Sequence, residues 1–152
     1  MSNMDRGEPK LLIPGLAGFY AAVSDLGYPM IRITVGAILF VHGWGKIKTG
    51  ITGLAGYLDK VGLAPPVPLA YVVLINETIG AVCIVLGLFT RFFAASIAIE
   101  LAVALWIVHY AKGFGASAGG YEYVLMWGII MFAIALRGGG PYSLDRVIGK
   151  QL

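Results

Sequence analysis

Cysteine is almost absent: Cys83 stands alone, so neither an internal disulfide nor a C-x-x-C pair exists, and a self-contained dithiol mechanism is excluded. Cys83 lies inside an apolar run, where a thiol acts as a small buried hydrophobe. Charge is scarce too, at 12% of the residues. The 11 lysines and arginines are scattered singly, so the net charge of +3 comes without the basic patch a nucleic-acid partner needs. The chain also lacks a G-x-G-x-x-G phosphate-binding loop, a low-complexity segment and an internal repeat. No metal site is expected.

Apolar residues fill the space these absences leave. They make up 59% of the 152 residues, and the mean hydropathy is +0.84. That content is hard to hide in a soluble core of this size. A lipid-facing exterior resolves the conflict, and the bilayer is the first partner the sequence implies. A helix needs about 20 mostly apolar residues to cross the hydrocarbon core. Four stretches approach that length: Tyr28 to Lys46, Pro68 to Leu88, Phe92 to Ala111, and the slightly short Tyr121 to Arg137. The expected fold is therefore all-α, a four-helix transmembrane bundle forming one domain over residues 1–152. The link Phe89-Thr90-Arg91 forces the second and third spans into an antiparallel hairpin.

Leu11 to Val23 is also apolar, but it carries Pro14, Gly15 and Gly18 and lacks the positively charged lead-in of a secretory signal. It reads as an interfacial segment. Ile51, Leu54, Leu58 and Val61 recur at helical spacing around Asp59 and Lys60, which predicts a short amphipathic helix on the membrane surface. Pro65, Pro66 and Pro68 end it. With a cytoplasmic N-terminus, Arg6, Lys10, Arg91, Arg137, Arg146 and Lys150 face inside, against Lys46, Lys48, Lys60 and Lys112 outside. That balance favours N-in and C-in.

Placing a charge at mid-helix in lipid costs about 2.5–3.5 kcal/mol on insertion scales, so such residues normally face the protein and have partners. At about 100° per residue, Arg32, Gly36, Leu39, Gly43 and Lys46 share one stripe of the first helix. Val73, Glu77, Gly80, Ile84, Gly87 and Arg91 share another. Small residues let such faces approach closely while the polar groups meet. The third span offers Glu100 with Ser96 and Phe93; the fourth offers Glu122 with Ile129 and Ala133. Rise per residue puts Glu77 and Glu100 both near mid-membrane. One pairing joins Glu100 to Arg32, and Glu77 or Glu122 to Lys46; the pairings could also exchange. These groups either hold the bundle in register, or relay protons or hold a polar ligand, since an intramembrane carboxylate can exist protonated.

His42 and His109 raise the question of a b-type haem. His109 follows Glu100 by nine residues, about 180° around the helix, so the two cannot face one bundle centre. Interfacial or hydrogen-bonded histidines are expected instead. Trp44, Trp106, Trp127, Tyr110, Tyr121 and Tyr123 lie mostly near span ends, as a membrane aromatic belt would. A flat ligand such as a quinone could use a few of them as walls.

The pattern Arg32-x3-Gly36-x6-Gly43-x2-Lys46, then Glu77-x2-Gly80, then Gly87-Leu88-Phe89-Thr90-Arg91 resembles the DoxX family of small bacterial membrane proteins (DoxX/DoxD-like). The ending Gly138-Gly139-Gly140-Pro141-Tyr142-Ser143-Leu144-Asp145 resembles that family's C-terminal segment. The resemblance covers about Tyr28 to Asp145. It implies a four-helix protein of the bacterial inner membrane, in a wider group that includes the DoxD-type subunit of a thiosulfate:quinone oxidoreductase and proteins linked to quinone or oxidative-stress responses. It also carries Arg32, Lys46, Glu77 and Arg91 over as the motif's polar residues. The flavin, haem or thiol centre for redox chemistry is not in this chain, so a redox partner subunit is implied.

Three functions follow as expectations. The first is a membrane subunit or accessory of a quinone-linked oxidoreductase, in which Glu77 or Glu100 exchanges a proton at a quinone oxygen and Arg32 or Lys46 balances the charge. The second is a small proton- or solute-conducting protein, which would need a homo-oligomer because four spans enclose little volume and no inverted repeat is present. The third is a structural or assembly subunit without a ligand. The residues carried forward are Arg32, His42, Lys46, Glu77, Arg91, Glu100 and Glu122.

Overall fold

The structure is a computed structural model that describes residues 10–151; Arg6 lies outside the described residues. Every regular element among them is helical. Helix α1 spans Ala17–Lys60, opened by a short turn at Pro14–Leu16. Helix α2 spans Pro66–Leu86 and α3 spans Thr90–Lys112. Helix α4 spans Glu122–Arg137, and a single turn, α5, spans Leu144–Ile148. The first three are long and apolar enough to cross a membrane. With 16 residues, α4 is shorter. At about 1.5 Å per residue it covers roughly 24 Å, less than the hydrocarbon core.

Two expectations change at α1. The stretch Leu11 to Val23 is no separate segment: from Ala17 onward it forms the first turns of the helix that carries Arg32. The amphipathic turns after Thr49 continue the same helix through a break at Gly50, where φ is +75°. Their apolar face is covered by protein, with Leu54, Ala55 and Leu58 buried against Ala70 at the start of α2. Hydrophobic spacing reveals that a face must be covered but does not name what covers it.

The main core lies where α1 to α4 meet: Val35 and Leu39 from α1, Ala81 and Ile84 from α2, Ala94 and Ile97 from α3, Met131 and Ile134 from α4. Close approach of α1 and α2 depends on glycine. A Cβ on Gly43 would lie 2.2 Å from the Glu77 carbonyl oxygen, and one on Gly36 would lie 2.9 Å from that of Ala81. The α1 stripe is thus buried as its spacing predicts, from Arg32 through Gly36 and Leu39 to Gly43. Cys83 is buried among apolar neighbours.

The face expected for α4 is different. Ile129 is 61% exposed, and Met131 and Ile134 point inward instead. The helix is apolar nearly all round, so Glu122 is the one residue that suggests a phase, and its carboxylate turns to the Ala116 amide instead.

Candidate functional site

Helix α2 is not uniform. Asn76–Gly80 forms a π-helical turn inside it, an inserted residue of the kind that often marks a functional position. The wider turn changes the local phase, so both Asn76 and Glu77 are buried side by side. A uniform 100° step predicts only Glu77.

From this turn a polar cluster extends across three helices. Lys46 of α1 forms an ion pair with Glu77 of α2. The Asn76 amide donates to Glu100 Oε2 of α3 at 2.8 Å, and Ser96 Oγ donates to Asn76 Oδ1 at 3.0 Å. Glu100 also lies close enough to Glu77 and Lys46 to interact with both. One carboxylate, Glu77, is thus paired with the ammonium, and the second, Glu100, is tied to the neighbouring Asn76. The Glu77 side chain is 7% exposed while Lys46 is 32% exposed, so the cluster is closed toward α2 and open at Lys46. Of the expected pairings, Glu77 with Lys46 is present. Asn76 was missed, although an asparagine beside Glu77 in an apolar run was a visible signal.

Arg32 does not meet Glu100. It is 1% exposed, and its guanidinium donates to main-chain carbonyls: Gly139, Tyr142 at 2.6 Å and Val85 at 3.4 Å. Val85 lies in the last turn of α2, whose carbonyl end favours a cation. Gly87 permits this approach, because a Cβ there would lie 2.0 Å from Arg32 Nη1.

The same end holds two further matched helix termini. Arg91 donates to the carbonyls of Ala135 at 3.1 Å and Leu136 at 2.6 Å, closing the C-terminus of α4. Asp145, also 1% exposed, accepts from the amides of Phe89 at 2.7 Å and Thr90 at 3.0 Å and from the Thr90 hydroxyl at 2.6 Å. That satisfies otherwise unpaired donors at the N-terminus of α3. Tyr28 donates to the Gly138 carbonyl, and Arg137 covers its ring at 4.3 Å. The segment after α4 is thus a clasp that binds α1, the α2–α3 turn and α4 together. The sequence placed Arg91 on the α2 stripe; it belongs to the first turn of α3, beyond a turn with positive φ at Gly87 and Phe89.

The remaining candidates lie outside the cluster. Glu122 accepts from the Ala116 amide at 3.0 Å, closing the loop before α4, and does not reach Lys46. His42 is exposed on α1, and His109 shares a 2.7 Å hydrogen bond with the Gly119 carbonyl. Trp106, Tyr110, Phe114 and Tyr121 form a chain of ring contacts around that loop. Trp127 instead packs on the core.

A bundle of apolar helices, with large side chains exposed along their outer faces and Arg32 and Glu77 buried within the spans, is a small integral membrane protein. The DoxX family profile matches residues 27–110. The chain belongs to the DoxX family. It is 31% identical to "Putative oxidoreductase CatD" of Bacillus subtilis over 83% of this chain and 90% of that protein. It is 30% identical to the inner membrane protein YqjF of Escherichia coli, over 85% and 97%, and 29% identical to YphA, an inner membrane protein of the same organism, over 76% and 85%. No solved structure matches the chain. The clasp lies beyond the profile match.

Proposed function

We propose that this protein is an inner-membrane subunit or accessory of a quinone-linked oxidoreductase system, with the Lys46, Asn76, Glu77 and Glu100 cluster as its working site. The observation that carries this reading is the Lys46–Glu77 ion pair set beside the Asn76–Glu100 hydrogen bond, across three helices at a π-helical turn. Lys46 is partly exposed, which leaves the cluster open to an incoming ligand at that residue. One relative, CatD, carries an oxidoreductase name.

A quinone supplies two ring oxygens that take up protons when the ring is reduced; the electrons come from a redox partner subunit. The residues here fit that chemistry. Lys46 offers a donor to a ring oxygen. Glu77 and Glu100 hold a proton between them or release it toward that oxygen. Asn76 fixes the Glu100 carboxylate, and Ser96 fixes Asn76. Arg32, expected in the same role, holds the clasp instead.

The test is purification from the native membrane in mild detergent, with mass spectrometry of co-purifying proteins and of the lipid extract. Recovery of quinone or a redox subunit, lost in Glu77→Gln and Glu100→Gln but kept in Glu122→Gln, supports the reading. Protein free of both contradicts it.

A further inference from the structure

The clasp end carries basic groups that neither the core nor the polar cluster uses. Arg137, Arg146 and Lys150 border a cavity of about 500 Å³ that also reaches Gly140 and Gln151. Arg91 joins it through its 2.9 Å hydrogen bond from Nε to Gln151 Oε1. Asp145 also lines this cavity, but it is 1% exposed and its carboxylate is held by the start of α3. Asp25 is exposed on α1, before Tyr28. Among the described residues the single ion pair is Lys46 with Glu77, so none of these cations has a carboxylate partner.

Directly below Arg91 an apolar groove of about 650 Å³ runs between α3 and α4, from Leu105 and Val124 to Arg91 and Leu136. Its floor is recessed because Ala95, Ala102 and Gly128 present little side chain. Beside the basic cavity, Val147 is 82% exposed and Ile148 56% exposed on the α5 turn. Apolar side chains next to arginine and lysine are what the boundary between acyl chains and headgroups accommodates.

We propose that an anionic phospholipid docks here, with an acyl chain in the α3–α4 groove and its phosphate among Arg137, Arg146 and Lys150. The groove opens to the bilayer and ends at a guanidinium, so its occupant is a long apolar chain terminating in negative charge. A neutral lipid would leave Arg137, Arg146 and Lys150 without a counter-charge among the described residues, and a free anion would leave the groove unfilled. The lipid bridges α3, α4 and the clasp, and supplies a counter-charge to these three cations.

The experiment uses the full chain, delipidated in detergent and titrated with phosphatidylglycerol or with phosphatidylcholine of the same acyl chains, read by native mass spectrometry and by thermal unfolding. Phosphatidylglycerol is expected to stay bound and raise Tm, and phosphatidylcholine is not. The triple substitution Arg137→Gln, Arg146→Gln and Lys150→Gln should weaken phosphatidylglycerol by about fivefold per charge removed. Ala102→Trp, which fills the groove, should weaken it with the charges intact. All four positions are exposed, and circular dichroism verifies that the variants fold. Equal retention of the two lipids, or no effect of either variant, overturns the proposal. Equally tight binding of soluble glycerol phosphate also overturns it, making this a site for free anions.

Discussion

Gly43 shows how much one missing side chain sets. Its Cα lets α1 contact the Glu77 carbonyl and so holds Lys46, one turn further along α1, against the Glu77 carboxylate. Gly43→Ala places a Cβ against main chain, which cannot rotate away, and is expected to cost about 1–3 kcal/mol, seen as a lower Tm. The two glutamates should behave differently. Glu100→Gln keeps an oxygen to accept from Asn76, so its stability change should stay within about 1 kcal/mol. Glu77→Gln removes the counter-charge of Lys46; because Lys46 is partly exposed and can extend to the interface, the cost should fall below the roughly 3–5 kcal/mol of a fully buried pair. Thermal melts of both variants beside Glu122→Gln check this ordering. The inward position of Arg32, Glu77 and Lys46 was readable from spacing alone. The partner of Arg32 was not, because carbonyl oxygens leave no trace in residue types, and a charged residue looks the same whether it answers another charge or a helix end.

At the scale of elements, the charges of the clasp end are best understood as answers to helix termini. Asp145 meets the free amides of α3, Arg91 the free carbonyls of α4, and Arg32 the carbonyl end of α2. Asp145→Ala leaves two amides and a hydroxyl without their acceptor and should lower stability by about 2–3 kcal/mol. Asp145→Asn, which keeps one acceptor oxygen, should recover part of it. Arg91→Lys should not be silent, since an ammonium cannot fork to adjacent carbonyls as a guanidinium does. Detergent-solubilised variants compared by circular dichroism melts decide both. The antiparallel α2–α3 hairpin was legible from the shortness of its link, within two residues of the observed turn at Gly87. The π-helical turn was not, because its only trace is an asparagine where a uniform helix would put a lipid-facing residue.

At the scale of the whole molecule, an all-α membrane bundle follows from composition and run length, while its internal assignments depend on contacts far apart in sequence. The C-terminal glycines illustrate this: Gly139 and Tyr142 reach Arg32 across more than a hundred residues. The clasp gathers Arg91, Arg137, Arg146 and Lys150 at one end, and the positive-inside tendency predicts a cytoplasmic position for that end. With Cys83→Ala as background, Lys150→Cys should react with a membrane-impermeant maleimide in inverted vesicles and stay unlabelled in intact spheroplasts; the reverse would invert the topology. The Lys46, Asn76, Glu77 and Glu100 cluster joins α1, α2 and α3, and whether it serves a ligand is the central question. The most direct measurement is quinone affinity of the protein in nanodiscs, compared for the unaltered chain, Glu77→Gln, Glu100→Gln and Glu122→Gln. A working site predicts saturable binding, weakened about tenfold or more in the first two variants, the equivalent of one lost hydrogen bond to a charged group, and unchanged in the third. Binding that is absent, or alike in all four proteins, would contradict it and leave the cluster as the polar tie that holds α1, α2 and α3 in register.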